Sequence, residues 1–266
     1  MDTIVWLMVW CLILGSFVGF LAGLLGIGGG LIIVPALLYL LPKVGISEPH
    51  LLYVAIATSL SAIILTSASS AKAHWGRGNV DFTVLKALLP GIVIGAFLSG
   101  FIAKAFLGAY LQQVFAIFVM LMAINMWFPL KVNAAAGLPS NSVIFVIGII
   151  IAMISGLMGI GGGVLLVPFL VWCGLAMAKA VGTSSMIGIV IACFGSLGYI
   201  TTGWDVHSLP AGTLGYIYVP ALLAIVSTSV LTAPLGAKAA SIWPTPILKR
   251  IFALLLIVIG VKLLLS

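Results

Sequence analysis

A glycine-rich motif that occurs twice, half a chain apart, constrains this chain more than any other feature. Residues 23–35 and residues 156–168 are identical at nine of thirteen positions, including all five glycines and the final proline. The two copies are offset by 133 residues in a chain of 266. Because an internal repeat in the sequence indicates a repeat in the fold, we expect two homologous halves.

Two further matches extend the repeat beyond the motif. The pair Thr58-Ser59 corresponds to Thr183-Ser184 at an offset of 125. Late in each half, residues 111–116 read LQQVFA and residues 248–253 read LKRIFA, at an offset of 137. Since the three offsets differ by at most 12 residues, the whole of each half is predicted to share one fold.

The hydropathy of the chain predicts a membrane protein. Hydrophobic residues make up 64% of the sequence and charged residues only 6%, with a mean hydropathy of +1.40. A soluble domain carries about 25% charged residues, and a spanning helix needs about 20 apolar ones. Apolar runs occur at residues 3–25, 30–42, 50–73, 83–106, 110–129, 141–158, 163–176, 179–202, 213–236 and 246–265.

The number of segments in each half predicts how the halves are related. Residues 1–133 and 134–266 would each form one repeat of five segments within one membrane domain. An odd number of crossings places equivalent residues on opposite sides, so we expect an all-α polytopic protein with two inverted repeats. The runs 30–42 and 163–176 are short for a span, which favours half-helices. Inverted repeats with broken helices are typical of secondary transporters, whose substrate site lies near the midplane.

The basic residues indicate the orientation of the segments. Loop counting places one group on one side, namely Lys72, Arg77, Lys86, Lys131, Lys179, Lys238, Lys249 and Arg250, and the other group opposite it, namely Lys43, Lys104 and Lys262. The positive-inside rule makes the first side cytoplasmic. This predicts a multi-pass protein of the cell (inner) membrane with both termini outside. The cations form no basic run, so nucleic acid is not an expected partner.

The two glycine triplets are the leading candidates for substrate contact. Each interior glycine costs a helix about 1 kcal/mol relative to alanine, so the backbone should unwind at Gly28, Gly29 and Gly30 and again at Gly161, Gly162 and Gly163. Unwound backbone at membrane depth is tolerated where it lines a cavity, and a helix N-terminus attracts anions. Close helix packing is the alternative explanation, which we prefer for the spaced Gly15, Gly19 and Gly23.

Hydroxyl side chains early in the third and eighth segments are the second set of candidates. They are Thr58, Ser59, Thr183, Ser184 and Ser185. These hydroxyls would donate into the same cavity, or they would bond carbonyls of their own helices. No Asp or Glu falls inside a predicted span. Since intramembrane carboxylates are the usual cation ligands, a small anion is the expected substrate, and neither a cofactor nor a metal is expected.

A histidine near the predicted cytoplasmic end of the third segment is a candidate for proton coupling. His74 titrates around neutral pH and lies between Lys72 and Arg77, which would attract anions. The three residues are candidates for a proton or anion relay. An ordinary interfacial histidine beside Trp75 is the alternative. The counterpart of His74 in the second half is Tyr199, so the two halves would not share this role.

The paired motifs, each followed by a Thr-Ser pair, resemble those of the TauE/SafE sulfite exporter family, also called the TSUP family. The residues that carry the resemblance are Gly26, Gly28 to Gly30 and Pro35, then Gly159, Gly161 to Gly163 and Pro168, with Thr58-Ser59 and Thr183-Ser184. The resemblance implies a transporter rather than an enzyme. It also implies passage of sulfur-containing anions such as sulfite, sulfoacetate, other sulfonates and thiosulfate.

Several functions are compatible with these observations. The leading hypothesis is a secondary transporter that exports a small sulfur-containing anion by alternating access between inverted repeats. Moving one negative charge out of a negative interior gains about 2.3 kcal/mol per 100 mV. An anion channel and a transporter of small carboxylates are the alternatives. A redox relay would need paired cysteines, whereas Cys11, Cys173 and Cys193 are isolated in apolar runs.

Overall fold

A computed structural model describes residues 3–25, 29–46, 48–107, 110–128, 137–239 and 245–265. The described chain is almost entirely helical, which confirms the predicted all-α class. Its elements are α1 (Thr3–Leu25), α2 (Gly30–Leu40), α3 (Leu51–Trp75), α4 (Phe82–Ile102), α5 (Leu111–Trp127), α6 (Asn141–Leu157), α7 (Gly163–Trp172), α8 (Met177–Gly203), β1 (Thr213–Leu214), β2 (Ile217–Tyr218), α9 (Val219–Ala239) and α10 (Thr245–Leu265). A short 3₁₀ turn, Leu41–Val44, follows α2, and a π-helical turn, Ala103–Leu107, follows α4.

Five apolar helices of the described chain are long enough to cross a bilayer. They comprise Thr3–Gly23, Leu51–Trp75, Phe82–Ala105, Met177–Gly203 and Val219–Gly236. Helices α2 and α7 contain only 11 and 10 residues. At 1.5 Å per residue each is about 15 Å long, which is about half of a hydrocarbon core of roughly 30 Å.

Helices α1 and α2 lie side by side, and the start of α2 lies deep in the molecule. At one end of this pair, the Lys43 ammonium lies 4.5 Å from the centre of the Trp6 ring. At the other end, Gly29 packs against Val18 of α1, and Gly30 packs against Ile63, which is halfway along α3. The start of α2 therefore lies level with the middle of α3, and α2 runs from there back toward the end of the bundle that holds Trp6 and Lys43.

Helices α3 and α8, which carry the two Thr-Ser pairs, lie against each other in opposite directions. The hydroxyl oxygens of Ser61 and Ser196 are 3.1 Å apart, and so are those of Ser70 and Ser185. As the residue number rises along α3, that of its partner on α8 falls. These two equivalent helices are therefore antiparallel.

The helices of the two halves pack in matched pairs. Helix α1 packs against α9 just as its counterpart α6 packs against α4, and α3 packs against α9 just as α8 packs against α4. Two of the spaced glycines allow the close approach of α1 and α9, because Gly15 contacts the backbone of Ile225 and Gly19 that of Ser229. Both glycines have the packing role that we preferred for them.

One predicted helix begins later than its hydropathy indicates. We predicted a helical segment from residue 213, but residues 213–218 form a small antiparallel hairpin in which Thr213 pairs with Tyr218. Glycines at positive φ, Gly212 at 92° and Gly215 at 56°, interrupt the helix. An apolar run predicts burial without distinguishing helix from strand, and α9 begins only at Val219.

The basic side chains of the described residues lie at two ends of the bundle. At the end where α3 begins, the ammonium groups of Lys43 and Lys262 lie 5.9 and 5.1 Å from the centre of the Tyr39 ring. Near this end, Lys104 donates to the carbonyl of Thr202 over 2.8 Å. At the other end, where α3 finishes, Lys72 and Arg77 are exposed.

Candidate functional site

The two short helices begin in the same way. Gly29 is the N-cap of α2 and Gly162 is the N-cap of α7, and both have a φ of 76°, in the left-handed region. Glycine adopts this conformation without steric cost. The Gly29 carbonyl accepts from the N–H groups of Ile32 and Ile33, and the Gly162 carbonyl accepts from those of Leu165 and Leu166. The predicted site residue Gly28 lies outside the described residues.

The first glycine turn, of which Gly29 and Gly30 are described, meets the second glycine turn, residues 159–163. A methyl group on Gly30 would collide with the Gly159 carbonyl oxygen. A methyl group on Gly161 would press on Ile63 of α3, and one on Gly188 of α8 would press on the Gly161 carbonyl. The two turns therefore lie together between α3 and α8, and their contacts require residues without a Cβ atom.

The start of α7 presents backbone donors that precede the helical ladder. The first N–H groups to join the helical ladder belong to Leu165 and Leu166, so those of Gly163 and Val164 precede it. The leading N–H groups of a helix have no intrahelical partner, and the helix dipole adds a partial positive charge there. This arrangement is suited to an anion.

The predicted threonines join the two halves. The Tyr218 N–H, just before α9, donates to Thr58 Oγ1 over 3.0 Å, and the Asp81 N–H, just before α4, donates to Thr183 Oγ1 over 2.9 Å. Both threonines are fully buried. Because each oxygen accepts in these bonds, its proton is left to donate, and no acceptor for it lies among the described residues.

The predicted serines differ between the halves. The Ser59 hydroxyl donates to the Gly159 carbonyl over 2.8 Å. Its counterpart Ser184 is only 2% exposed, and its hydroxyl has no hydrogen-bond partner within the described chain. Ser185 donates to the Val181 carbonyl over 2.9 Å. Among these serines, only Ser184 has an uncommitted hydroxyl.

A further serine beside the second glycine turn was not among the predicted residues. Ser155, in the last turn of α6, is fully buried, and its hydroxyl has no partner in the described part of the chain. A methyl group on Gly162 would lie 3.7 Å from the Ser155 Oγ. Comparison of the two halves did not select it, because the aligned position in the first half is Ala22.

The predicted relay residues lie together but far from the glycine turns. Lys72 and Arg77 are exposed, and the half-buried His74 has a buried Nδ1 with no partner among the described residues. The His74 carbonyl accepts from the N–H groups of Arg77 and Asn79 over 3.2 and 3.0 Å. Eleven residues separate His74 from Ile63 beside Gly30, which is about 16 Å along α3.

The opposite end of α3 carries an aromatic group that the sequence did not indicate. The rings of Tyr53 and Tyr216 stack with their centres 5.2 Å apart. Tyr199, fully buried with no partner for its hydroxyl among the described residues, completes this tyrosine cluster. The Tyr53 hydroxyl donates to the Ala103 carbonyl over 3.4 Å. Side chains from three separate segments, α3, α8 and the turn between β1 and β2, thus meet near this end.

The described residues contain no group of three or more His, Cys, Asp or Glu side chains placed to hold a metal ion. Asp81, half-buried at the start of α4, uses its carboxylate to accept from the N–H groups of Thr83 and Val84 over 3.0 and 3.2 Å. This carboxylate caps a helix. The polar groups around the glycine turns are therefore hydroxyls and backbone amides.

Comparison with known proteins gives a consistent result. A family model described as sulfite exporter TauE/SafE matches residues 11–263. A probable membrane transporter protein of Haemophilus influenzae is 40% identical over 259 residues, covering 96% of this chain and 97% of the relative. The probable membrane transporter protein YunE of Bacillus subtilis is 29% identical over 271 residues, covering 94% and 95%.

A third relative is more distant. A probable membrane transporter protein of Methanocaldococcus jannaschii is 27% identical over 229 residues, covering 85% of this chain and 84% of the relative. No solved structure matches the chain. The similarity thus covers nearly the whole membrane domain.

Proposed function

Because the chain belongs to the sulfite exporter TauE/SafE family, we propose that it moves small sulfur-containing anions across the cytoplasmic membrane. The family and the named relatives are membrane transporters, so the chain is a transporter and not an enzyme. The anions that we propose are sulfite, sulfoacetate and other sulfonates. The proposed mechanism is secondary transport by alternating access.

The paired glycine turns carry this proposal. Two short helices begin with the same left-handed glycine, Gly29 and Gly162, and their turns meet between α3 and α8. Helix N-termini at the middle of a membrane bind anionic groups in secondary transporters. A sulfite or sulfonate group has several oxygens that can accept hydrogen bonds. Backbone amides near Gly163 would supply donors to them, and the hydroxyls of Thr58 and Thr183 would supply donors on either side of the glycine turns.

The antiparallel placement of α3 and α8 supports an inverted repeat. These helices carry equivalent Thr-Ser pairs. They run in opposite directions, because Ser61 pairs with Ser196 and Ser70 with Ser185. Inversion of two homologous halves gives a transporter two related conformations, one open to each side. The matched pairs of α1 with α9 and α6 with α4 agree with this symmetry.

The charge distribution supports the sign and direction of transport. The hydrophobic spans carry no Asp or Glu in the described residues, and Asp81 caps a helix. The cations Lys72 and Arg77 lie at the end that we propose to be cytoplasmic, together with His74. There they would concentrate anions from the cytoplasm before export, and His74 would supply the proton-coupling group.

Counterflow in proteoliposomes tests the transport mechanism. The purified protein is reconstituted with unlabelled sulfite inside, and labelled sulfite is added outside at low concentration. A carrier exchanges the two anions, so we expect transient accumulation of label that methanesulfonate inhibits. Simple equilibration without accumulation would indicate a channel. Accumulation of small carboxylates in place of sulfur anions would change the assigned substrate.

A further inference from the structure

We propose that the hydroxyls of Ser155 and Ser184 bind the transported anion, so that the second glycine turn holds it and the first does not. This inference rests on the proposed function. It assigns the binding to one of two turns that have the same backbone, and it adds Ser155 to the residues that the sequence indicated.

Ser184 lies on the side of α8 that faces the second glycine turn. Gly188, four residues further along, contacts the Gly161 carbonyl, and the Ile191 side chain packs against Gly162. Residues four apart on a helix share a face. The hydroxyl of Ser184 therefore belongs to the face that meets this turn, and it is buried without a partner among the described residues.

Ser155 approaches the same turn from α6. Its Oγ lies beside Gly162, the N-cap of α7, where the N–H groups of Gly163 and Val164 precede the helical ladder. A serine in a helix commonly bonds a carbonyl of its own helix, but the Ser155 hydroxyl makes no such bond within the described chain. A buried hydroxyl without a partner costs about 1–3 kcal/mol, and an anion would remove that cost.

The first half lacks both donors. Ala22 occupies the position of Ser155, and the Ser59 hydroxyl, the counterpart of Ser184, donates to the Gly159 carbonyl over 2.8 Å. That bond leaves Ser59 no proton for an anion. An oxyanion at the second turn would find two hydroxyls and the start of α7, whereas the first turn offers neither hydroxyl.

Binding and stability measurements on the purified full-length protein test the assignment. The variants are Ser155→Ala and Ser184→Ala. The control is Ser229→Ala, which is also fully buried but whose hydroxyl donates to the Val226 carbonyl over 3.3 Å. Calorimetry gives the Kd of sulfite and of methanesulfonate, and thermal unfolding without anion gives the apparent Tm.

Each serine variant should weaken binding roughly ten- to a hundredfold, the usual effect of losing a hydrogen bond to a charged group. Its Tm without anion should equal or exceed that of the wild type, because the lost hydroxyl had no partner. Unchanged Kd values, or a lower anion-free Tm, would overturn the assignment and leave the proposed function intact. Failure of the wild type both to bind and to exchange sulfur anions would overturn both.

Discussion

The two glycine turns have matching backbones and different surroundings. Gly29 and Gly162 share a φ of 76° and accept the same pattern of helical hydrogen bonds. Around them, Ser59 donates to a carbonyl, whereas Ser184 and Ser155 have no partners among the described residues. The two turns thus share their backbone conformation and differ in the side chains around them.

The contrast between similar backbones and different side-chain hydrogen bonds corresponds to two separate requirements of a transporter. In the proposed alternating access, related backbones would allow the halves to exchange conformations, which requires similar packing and similar energy on both sides of the membrane. Binding requires only one good site between them. The same reasoning applies to His74, which is half-buried at one end of the bundle, whereas its counterpart Tyr199 belongs to the tyrosine cluster at the other.

The largest expected effect follows from removing both left-handed glycines. In the double variant with Gly29→Val and Gly162→Val, each valine is strained by about 1–3 kcal/mol at positive φ and collides with Val18 or Ile191. We expect sulfite exchange to be lost and the apparent Tm to fall. The control is Gly45→Val, at a φ of 86° but in open space, which should retain exchange. Exchange at the native rate in the double variant would contradict a glycine-turn site.

The threonine bonds allow a finer comparison of the halves. Thr58→Val leaves the Tyr218 N–H unpaired and buried, at a cost of about 1–2 kcal/mol. Thr183→Val leaves the Asp81 N–H unpaired, but Asp81 is half-buried and its N–H can recruit water. We therefore expect a larger decrease in thermal stability for Thr58→Val. An equal decrease in both variants would show that the Tyr218 and Asp81 N–H groups are equally protected from water.

A smaller effect is expected from Ser59→Ala. This change removes the bond to the Gly159 carbonyl, and hydrogen bonds between membrane helices contribute about 0.6 kcal/mol on average. The apparent Tm should fall slightly while the Kd of sulfite stays the same. The control Ser227→Ala removes a bond within one helix, to the Ala224 carbonyl over 2.9 Å. A weaker sulfite affinity in Ser59→Ala would remove the contrast with Ser184.

The smallest effect is expected at the exposed cations. The double variant Lys72→Gln with Arg77→Gln should reduce the initial rate of sulfite transport a few-fold at about 10 mM salt, where charges act over ~30 Å, and not at about 1 M, where they act over ~3 Å. Lys262→Gln, at the opposite end, is the control. A reduction that persists at high salt would indicate direct contact with the anion.

Hydropathy predicted most of the fold because an apolar membrane-spanning helix can be recognised from the composition of its own segment. The run 3–25 coincides with α1, and the glycine motifs coincide with the starts of α2 and α7. The hairpin at residues 213–218 was missed because burial over a short stretch does not distinguish strand from helix. The inversion of the repeats remains a prediction, which the antiparallel α3 and α8 support.

The candidate site was less predictable because hydrogen-bond partners depend on contacts between distant segments. Ser59 and Ser184 occupy equivalent positions in the sequence, yet only Ser59 meets a carbonyl, that of Gly159 a hundred residues away. Ser155 has no polar counterpart in the first half, so comparison of the repeats did not select it. Their roles as anion ligands stay predictions that binding measurements will test.

The threonine bonds also affect how the protein can be divided. Thr58 in the first half anchors the start of α9 in the second, and Thr183 in the second half anchors the start of α4 in the first. We therefore expect that neither sequence repeat folds alone, because its third and fourth helices are each hydrogen-bonded to the other repeat. A protein made of one repeat alone would reach this packing as an antiparallel dimer in which the two copies exchange helices.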